Sequence, residues 1–135
     1  MNPRASSGLK KRCRHRGIIP VLRVRRSFTR RRINKKWDEW DRCISPDGDF
    51  ILFCSKKPDG MGQDDIYVSF KEKNGEWSAA INLWESINST WSENRPLITS
   101  DGKYLFFNSN KRGSRDVYWV NSMIIDHIRD KIEED

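Results

Sequence analysis

A twelve-residue pattern occurs twice in this chain, and a fixed internal period constrains a fold more tightly than any single motif. The first copy is Ile44-Ser45-Pro46-Asp47-Gly48-Asp49-Phe50-Ile51-Leu52-Phe53-Cys54-Ser55. The second is Ile98-Thr99-Ser100-Asp101-Gly102-Lys103-Tyr104-Leu105-Phe106-Phe107-Asn108-Ser109, 54 residues on. The register extends backwards, since Trp37 and Glu39 are matched by Trp91 and Glu93. After the pattern the loop Lys57–Asp64 is replaced by the shorter Lys111–Arg115, so Asp65-Ile66-Tyr67 and Asp116-Val117-Tyr118 stand 51 apart.

The local chemistry of each copy predicts strands. Asp-Gly between apolar runs is a hairpin signal, because Gly accepts positive φ without steric cost. Asp47 and Asp101 are placed to bond their own turn backbone. The runs Phe50–Phe53 and Tyr104–Phe107 are continuous rather than alternating, which predicts strands covered on both faces. Asn74-Gly75 predicts another hairpin turn, leading to an outer strand that carries Trp77. Each unit therefore reads as about four short strands, the second ending after its third at Val120. Such sheets cannot bury their faces alone and must stack on neighbours; packed around an axis they form a β-propeller.

The expected fold is all-β: a partial, open β-propeller of about two four-stranded antiparallel blades over residues 37–122. Two blades are too few to close a ring. Residues 123–135 change period, with Ile124, Ile125, Ile128 and Ile132 on one helical face, predicting a short amphipathic helix. Asn121 or Ser122 can cap its start. Residues 1–36 form a basic, irregular leader.

The signature Ser45-Pro46-Asp47-Gly48, an apolar run closing on Phe53, then Ser55, a Gly-containing loop and Asp65-Ile66-Tyr67 resembles the PD40 (WD40-like) repeat. That repeat builds the propeller of TolB-like proteins and of many bacterial envelope proteins. Ser100 stands where the second copy would carry the usual Pro. The repeat markers are Trp37, Glu39, Ser45, Pro46, Asp47, Gly48, Phe53, Ser55, Asp65 and Tyr67, then Trp91, Glu93, Asp101, Gly102, Phe107, Ser109, Asp116 and Tyr118. The resemblance implies a non-catalytic binding or scaffold module with protein or ligand partners, in a periplasmic or extracellular setting. The alternative it leaves open is the propeller of a larger hydrolase, a prolyl-oligopeptidase-like peptidase or a glycan-processing enzyme. No cofactor is implied.

Catalytic and metal chemistry find little in the residues. Asp47, Asp65, Asp101 and Asp116 recur at equal positions, which points to turn capping and to hydrogen bonds at the start of strands. Asp59, Asp64 and Asp65 lack the spacing and terminal Glu of a calcium loop. His15 and His127 have no nucleophile elbow beside them. Trp37, Trp77 and Trp91 suit packing between blades better than ligand stacking. Cys13, Cys43 and Cys54 show no CxxC spacing, and a Cys43–Cys54 disulfide stays open at this point.

The net charge of +7 conceals a division: residues 1–36 hold 14 of the 26 Lys and Arg and none of the 19 acids. The leader could neutralise phosphates, yet it lacks interleaved aromatics, so nucleic acid is not the expected partner. A targeting segment or a plain solvated tail are its other readings. No apolar run reaches the length of a membrane helix, and no signal-peptide core is visible. An open array instead exposes an apolar blade face, so protein partners or self-association through that face are expected.

Overall fold

The computed structural model describes residues 38–134, which form two antiparallel sheets and a C-terminal helix. The basic leader, Trp37, Cys13 and His15 lie outside the described residues. The first sheet has strand order β1-β2-β3-β4, comprising Glu39–Ile44, Phe50–Ser55, Asp65–Phe70 and Ile81–Asn82. The second has order β5-β6-β7, comprising Glu93–Ile98, Tyr104–Ser109 and Asp116–Asn121. A single helical turn, α1 (Trp84–Ile87), lies between the sheets in sequence, and α2 (Met123–Glu134) ends the described chain.

The repeat is reproduced in backbone detail. Gly48 and Gly102 both hold positive φ, at 78° and 75°. In the first turn Ser45 Oγ accepts from Asp49 N (2.9 Å) and Phe50 N (3.1 Å) while donating to Asp47 Oδ1 at 2.6 Å. In the second, Thr99 Oγ1 accepts from Tyr104 N (3.1 Å) and donates to Asp101 Oδ1 at 2.6 Å. Each unit also carries a bulge in its first strand, between Trp40 and Cys43 and between Asn94 and Leu97. The bulged residues Asp41 and Arg95 both have positive φ, at 48° and 53°.

The core lies between the sheets. Phe50, Leu52, Cys54, Ile66, Val68 and Phe70 on one face of the first sheet meet Ile98, Leu105 and Phe107 of the second, with Leu83, Ile87 and Ile125 closing the cluster. Burial of this apolar surface is the main stabilising term. A second cluster, Ile51, Phe53, Tyr67 and Trp77, occupies the opposite face of the first sheet. Helix α2 buries Ile125 completely and packs Ile124 and Ile128 against the core. Asn121 Oδ1 accepts from Met123 N at 2.9 Å, capping the start of α2. Arg129 ties the helix to the first sheet, lying 4.5 Å over the Phe70 ring and 3.5 Å from Asp49 Oδ2.

Three local expectations are revised. Strand β2 is buried at every position, whereas β6 is covered on one face only: Leu105 and Phe107 are buried and Tyr104 is exposed. The outer strand of the first sheet is only Ile81–Asn82, and Trp77 makes a single bridge to Lys71. The Ser78 hydroxyl and amide take over the ladder there, Ser78 Oγ accepting from Phe70 N and Ser78 N donating to Phe70 O. Cys43 and Cys54 are free thiols, and each meets a backbone amide of β5: Ile98 N donates to Cys43 Sγ at 3.3 Å and the Arg95 amide lies against Cys54.

Candidate functional site

Two polar constellations draw attention first, and both act in folding. Asp65, fully buried, accepts from Met61 N, from Gly62 N at 2.9 Å and from Asn82 Nδ2 at 2.8 Å. A carboxylate holding three donors closes the loop before β3. Asn88 behaves as a one-residue strand: its Oδ1 accepts from Ile66 N (2.8 Å) and its Nδ2 donates to Ile66 O (2.9 Å). Glu93 is likewise buried and accepts from Ser89 N (2.9 Å), Ser89 Oγ (2.6 Å) and Ser109 Oγ (2.5 Å). The segment 88–93 is thereby stitched to both sheets, and Gln63 N and Glu93 N add backbone bonds to Trp91 O and Asp64 O.

Glu39 occupies the position in the first unit that Glu93 holds in the second, and its surroundings differ. Ser55, the match of Ser109, donates to Asp38 O at 3.2 Å instead of to the carboxylate. Both Glu39 carboxylate oxygens are buried without a hydrogen-bond partner. Desolvation pushes this carboxyl from 4.5 up to about 7, against the opposing pull of Lys57 and Arg42. Burial also raises both thiols, Cys54 up to about 12, so neither is poised as a nucleophile.

The remaining repeat markers are spread over the two units. Pro46 and Asp47 lie in the first turn, Asp101 and Gly102 in the second, and these turns bound a small hollow with Phe50 and Ile98. Phe53 stacks on Tyr67 and Phe107 on Tyr118, with centroids 6.0 and 5.8 Å apart. Asp116 is exposed and accepts from Ser114 Oγ at 3.0 Å. Trp91 contributes its carbonyl to the loop contact while its ring stays exposed, contrary to the packing role expected for it. Among the described residues no three His, Cys, Asp or Glu side chains gather to hold a metal ion. An open groove of about 630 Å³ runs between the Lys71–Asn74 turn and α2, lined by Phe70, Ile81, Arg129 and Ile132 among others. Its charges are mixed in sign.

The surface with a definite chemical character is the outer face of the second sheet. Leu97, Phe106 and Trp119 lie side by side across its three strands, by the pairing Leu97 with Phe106 and Phe106 with Trp119. Tyr104 meets Trp119 edge-on at 5.4 Å, and Val117 flanks Asn108. Leu97, Val117 and Trp119 are 58%, 67% and 60% exposed. Their counterparts in the first unit are Cys43, Leu52 and Val68 for the central row, and Phe50, Ile66 and Cys54 for Tyr104, Val117 and Asn108. Leu52, Cys54, Ile66 and Val68 have no exposure at all, because the second sheet lies on them. One face of the repeat is thus covered in its first occurrence and open in its second. The repeat register, read as strands, contained this pair of faces; which one is covered emerges only from the packing.

No protein-family model matches the chain, and no curated protein matches it.

Proposed function

We propose that this chain is a non-catalytic binding or scaffold module, two stacked propeller-type repeats of the PD40 kind, whose working surface is the outer face of the second sheet. The observation that carries the reading is the contrast just described: in the row Leu97, Phe106 and Trp119 the two outer residues are exposed and Phe106 half-buried, where Leu52 and Val68 of the counterpart row have no exposure. Exposed contiguous apolar surface on a folded domain marks an interaction site. Aromatic residues such as Tyr104 and Trp119 are those most enriched at the energetic centres of protein interfaces. The backbone identity of the two turns and the two bulges supports the repeat reading, and the stacking of one sheet on the other supports a solenoid or propeller logic.

A photo-crosslinking amino acid at position 119 tests the proposal, with position 85 on the exposed surface of α1 as control. Discrete protein adducts at 119, absent at 85 and suppressed by excess unlabelled chain, are expected. Absence of any specific adduct at 119 would sink the reading.

A further inference from the structure

We propose that Asn74 is a site of spontaneous covalent modification: it deamidates through attack by the Gly75 nitrogen, and the isoaspartyl product loosens the turn that seats Trp77.

The bonding of the turn sets up the reaction. Asn74 and Gly75 lie at the exposed tip of the Lys71–Trp77 hairpin. Gly75 holds φ at 82°, and a Cβ built on it would find nothing within 4 Å. Neither a side chain of its own nor a neighbour therefore screens its nitrogen. Asn74 Oδ1 accepts from Glu76 N at 2.9 Å. That bond draws electron density from the side-chain carbonyl and stays in place for the oxyanion that forms on attack. One bond opposes the reaction, since Gly75 N donates to Glu72 O at 2.9 Å. An exposed turn opens locally at small cost, which frees this amide without unfolding the sheets.

The step balances with water alone. Gly75 N gives up its proton and bonds to Cγ of Asn74; the Cγ–Nδ2 bond breaks and ammonia leaves. The resulting succinimide then takes up one water. Opening at Cγ leaves aspartate in a normal main chain. Opening at the main-chain carbonyl leaves isoaspartate, with the chain rerouted through Cγ.

The structure sets Asn74 apart from other candidates. Asn88 precedes the small residue Ser89, but it is buried, its Oδ1 accepts from Ile66 N, and its Nδ2 donates to Ile66 O and Asn82 Oδ1. Asn121 repeats the Asn74 bond, accepting from Met123 N at 2.9 Å. Its follower, however, carries a Cβ and is fixed twice, Ser122 N donating to Lys103 O and Ser122 Oγ to Gly102 O. Asp47, Asp59 and Asp101 also precede glycine, but a carboxylate is a far poorer electrophile than an amide and has no ammonia to release.

The two products act differently on the hairpin. Aspartate at 74 still offers an oxygen to Glu76 N. Isoaspartate adds a main-chain carbon ahead of Gly75 N, so the bond from Gly75 N to Glu72 O and the 2.7 Å bond from Glu72 N to Glu76 O lose their register. Those bonds keep Trp77 opposite Lys71 and inside the cluster of Ile51, Phe53 and Tyr67.

Ageing the full chain at mildly alkaline pH, beside a peptide of residues 70–80, tests this by peptide mapping with mass spectrometry. A gain of one mass unit should build up in the fragment holding Asn74, split into aspartyl and isoaspartyl forms, before any other described asparagine changes. It should be complete within about ten times the period that the peptide needs. Asn74→Gln, whose attack requires a larger ring, should slow the gain at least about 10-fold, with an unchanged circular dichroism spectrum. Hydrogen exchange at the Glu72 amide should be at least about 10-fold faster in the isoaspartyl fraction than in Asn74→Asp, which carries the charge without the rerouted chain. Asn74 intact beyond that period, Asn88 or Asn121 changing first, or an equal gain in Asn74→Gln overturns the site. Equal exchange in the isoaspartyl fraction and Asn74→Asp overturns the loosening of the turn.

Discussion

Replacing Glu39 by Gln should stabilise the protein at neutral and alkaline pH and leave it unchanged in acid. The carboxyl is held near 7 in the folded state against 4.5 in the unfolded chain, because its oxygens are buried and no donor reaches them. Below pH 4.5 it is protonated in both states and costs nothing. As pH rises through the interval 4.5 to 7, the unfolded chain releases the proton while the folded one keeps it, so stability falls; above 7 the loss is complete. Taken in full, a rise of this size corresponds to about 3 kcal/mol. Glu39 sits on the outer strand of its sheet and is only part-buried as a residue, and screening reduces the figure to about 1–2 kcal/mol. Urea unfolding followed by Trp fluorescence, at low micromolar protein and from pH 4 to 8.5, measures it as the difference between variant and wild type. That difference should be near zero at pH 4 and reach about 1–2 kcal/mol in favour of Glu39→Gln by pH 8. A difference that does not vary with pH, or a wild type more stable at pH 8, would refute the account of Glu39 as an unpartnered buried acid.

The matching substitution Glu93→Gln should act in the opposite direction, losing roughly 1–3 kcal/mol at pH 7, because that carboxylate holds three donors. Gly62→Ala should destabilise by about 3 kcal/mol or more in the same urea assay: a Cβ there would stand 1.9 Å from Trp91 O and 2.6 Å from Ser89 O, both backbone atoms. Gly48→Ala, with positive φ but nothing within 4 Å of the added carbon, should cost only about 1 kcal/mol. Asn88→Ala removes both bonds to the Ile66 backbone and should cost about 2 kcal/mol, visible as faster hydrogen exchange at the Ile66 amide. Cys54 should resist a thiol-specific reagent at pH 8 in the folded protein and react on unfolding; prompt labelling in the native state would contradict its burial and raised thiol value.

How far the sequence carries the fold depends on the range of the interaction that decides each element. The turns at Ser45–Gly48 and Thr99–Gly102 are settled within six residues, by a hydroxyl, an Asp and a Gly, and so are legible as strings. The α2 stripe is legible for the same reason, its period being a local property. Strand β4 and helical turn α1 are not, because Asn82 and Asn88 are fixed by Asp65 and Ile66, up to 22 residues away. Trp91 misled because a recurring Trp suggests ring packing, whereas at Trp91 the backbone carbonyl makes the contact.

The candidate face shows the limit most clearly. Phe50–Phe53 and Tyr104–Phe107 look alike as strings, and both predict a strand covered on two sides. Burial, though, belongs to a sheet together with its neighbour. The second sheet supplies the cover for Leu52 and Val68, and no sheet among the described residues does so for Phe106 and Trp119. Identical local signals thus end in opposite environments, and the difference lies in position along the stack. The residue types reflect this in part. Cys43 and Cys54, small and set against β5 amides, are Leu97 and Asn108 in the open copy. A thiol receives a backbone N–H in a dry contact, while an amide can keep its hydrogen bonds in water. Exchanging Asn108 for Cys should therefore cost the folded protein little while adding a reactive thiol, whereas Cys54→Asn should cost about 2–4 kcal/mol by burying an amide that has only a bulge N–H to satisfy it. Equal costs at the two positions, measured by urea unfolding, would show that the two faces are chemically interchangeable and that the open one owes nothing to exposure.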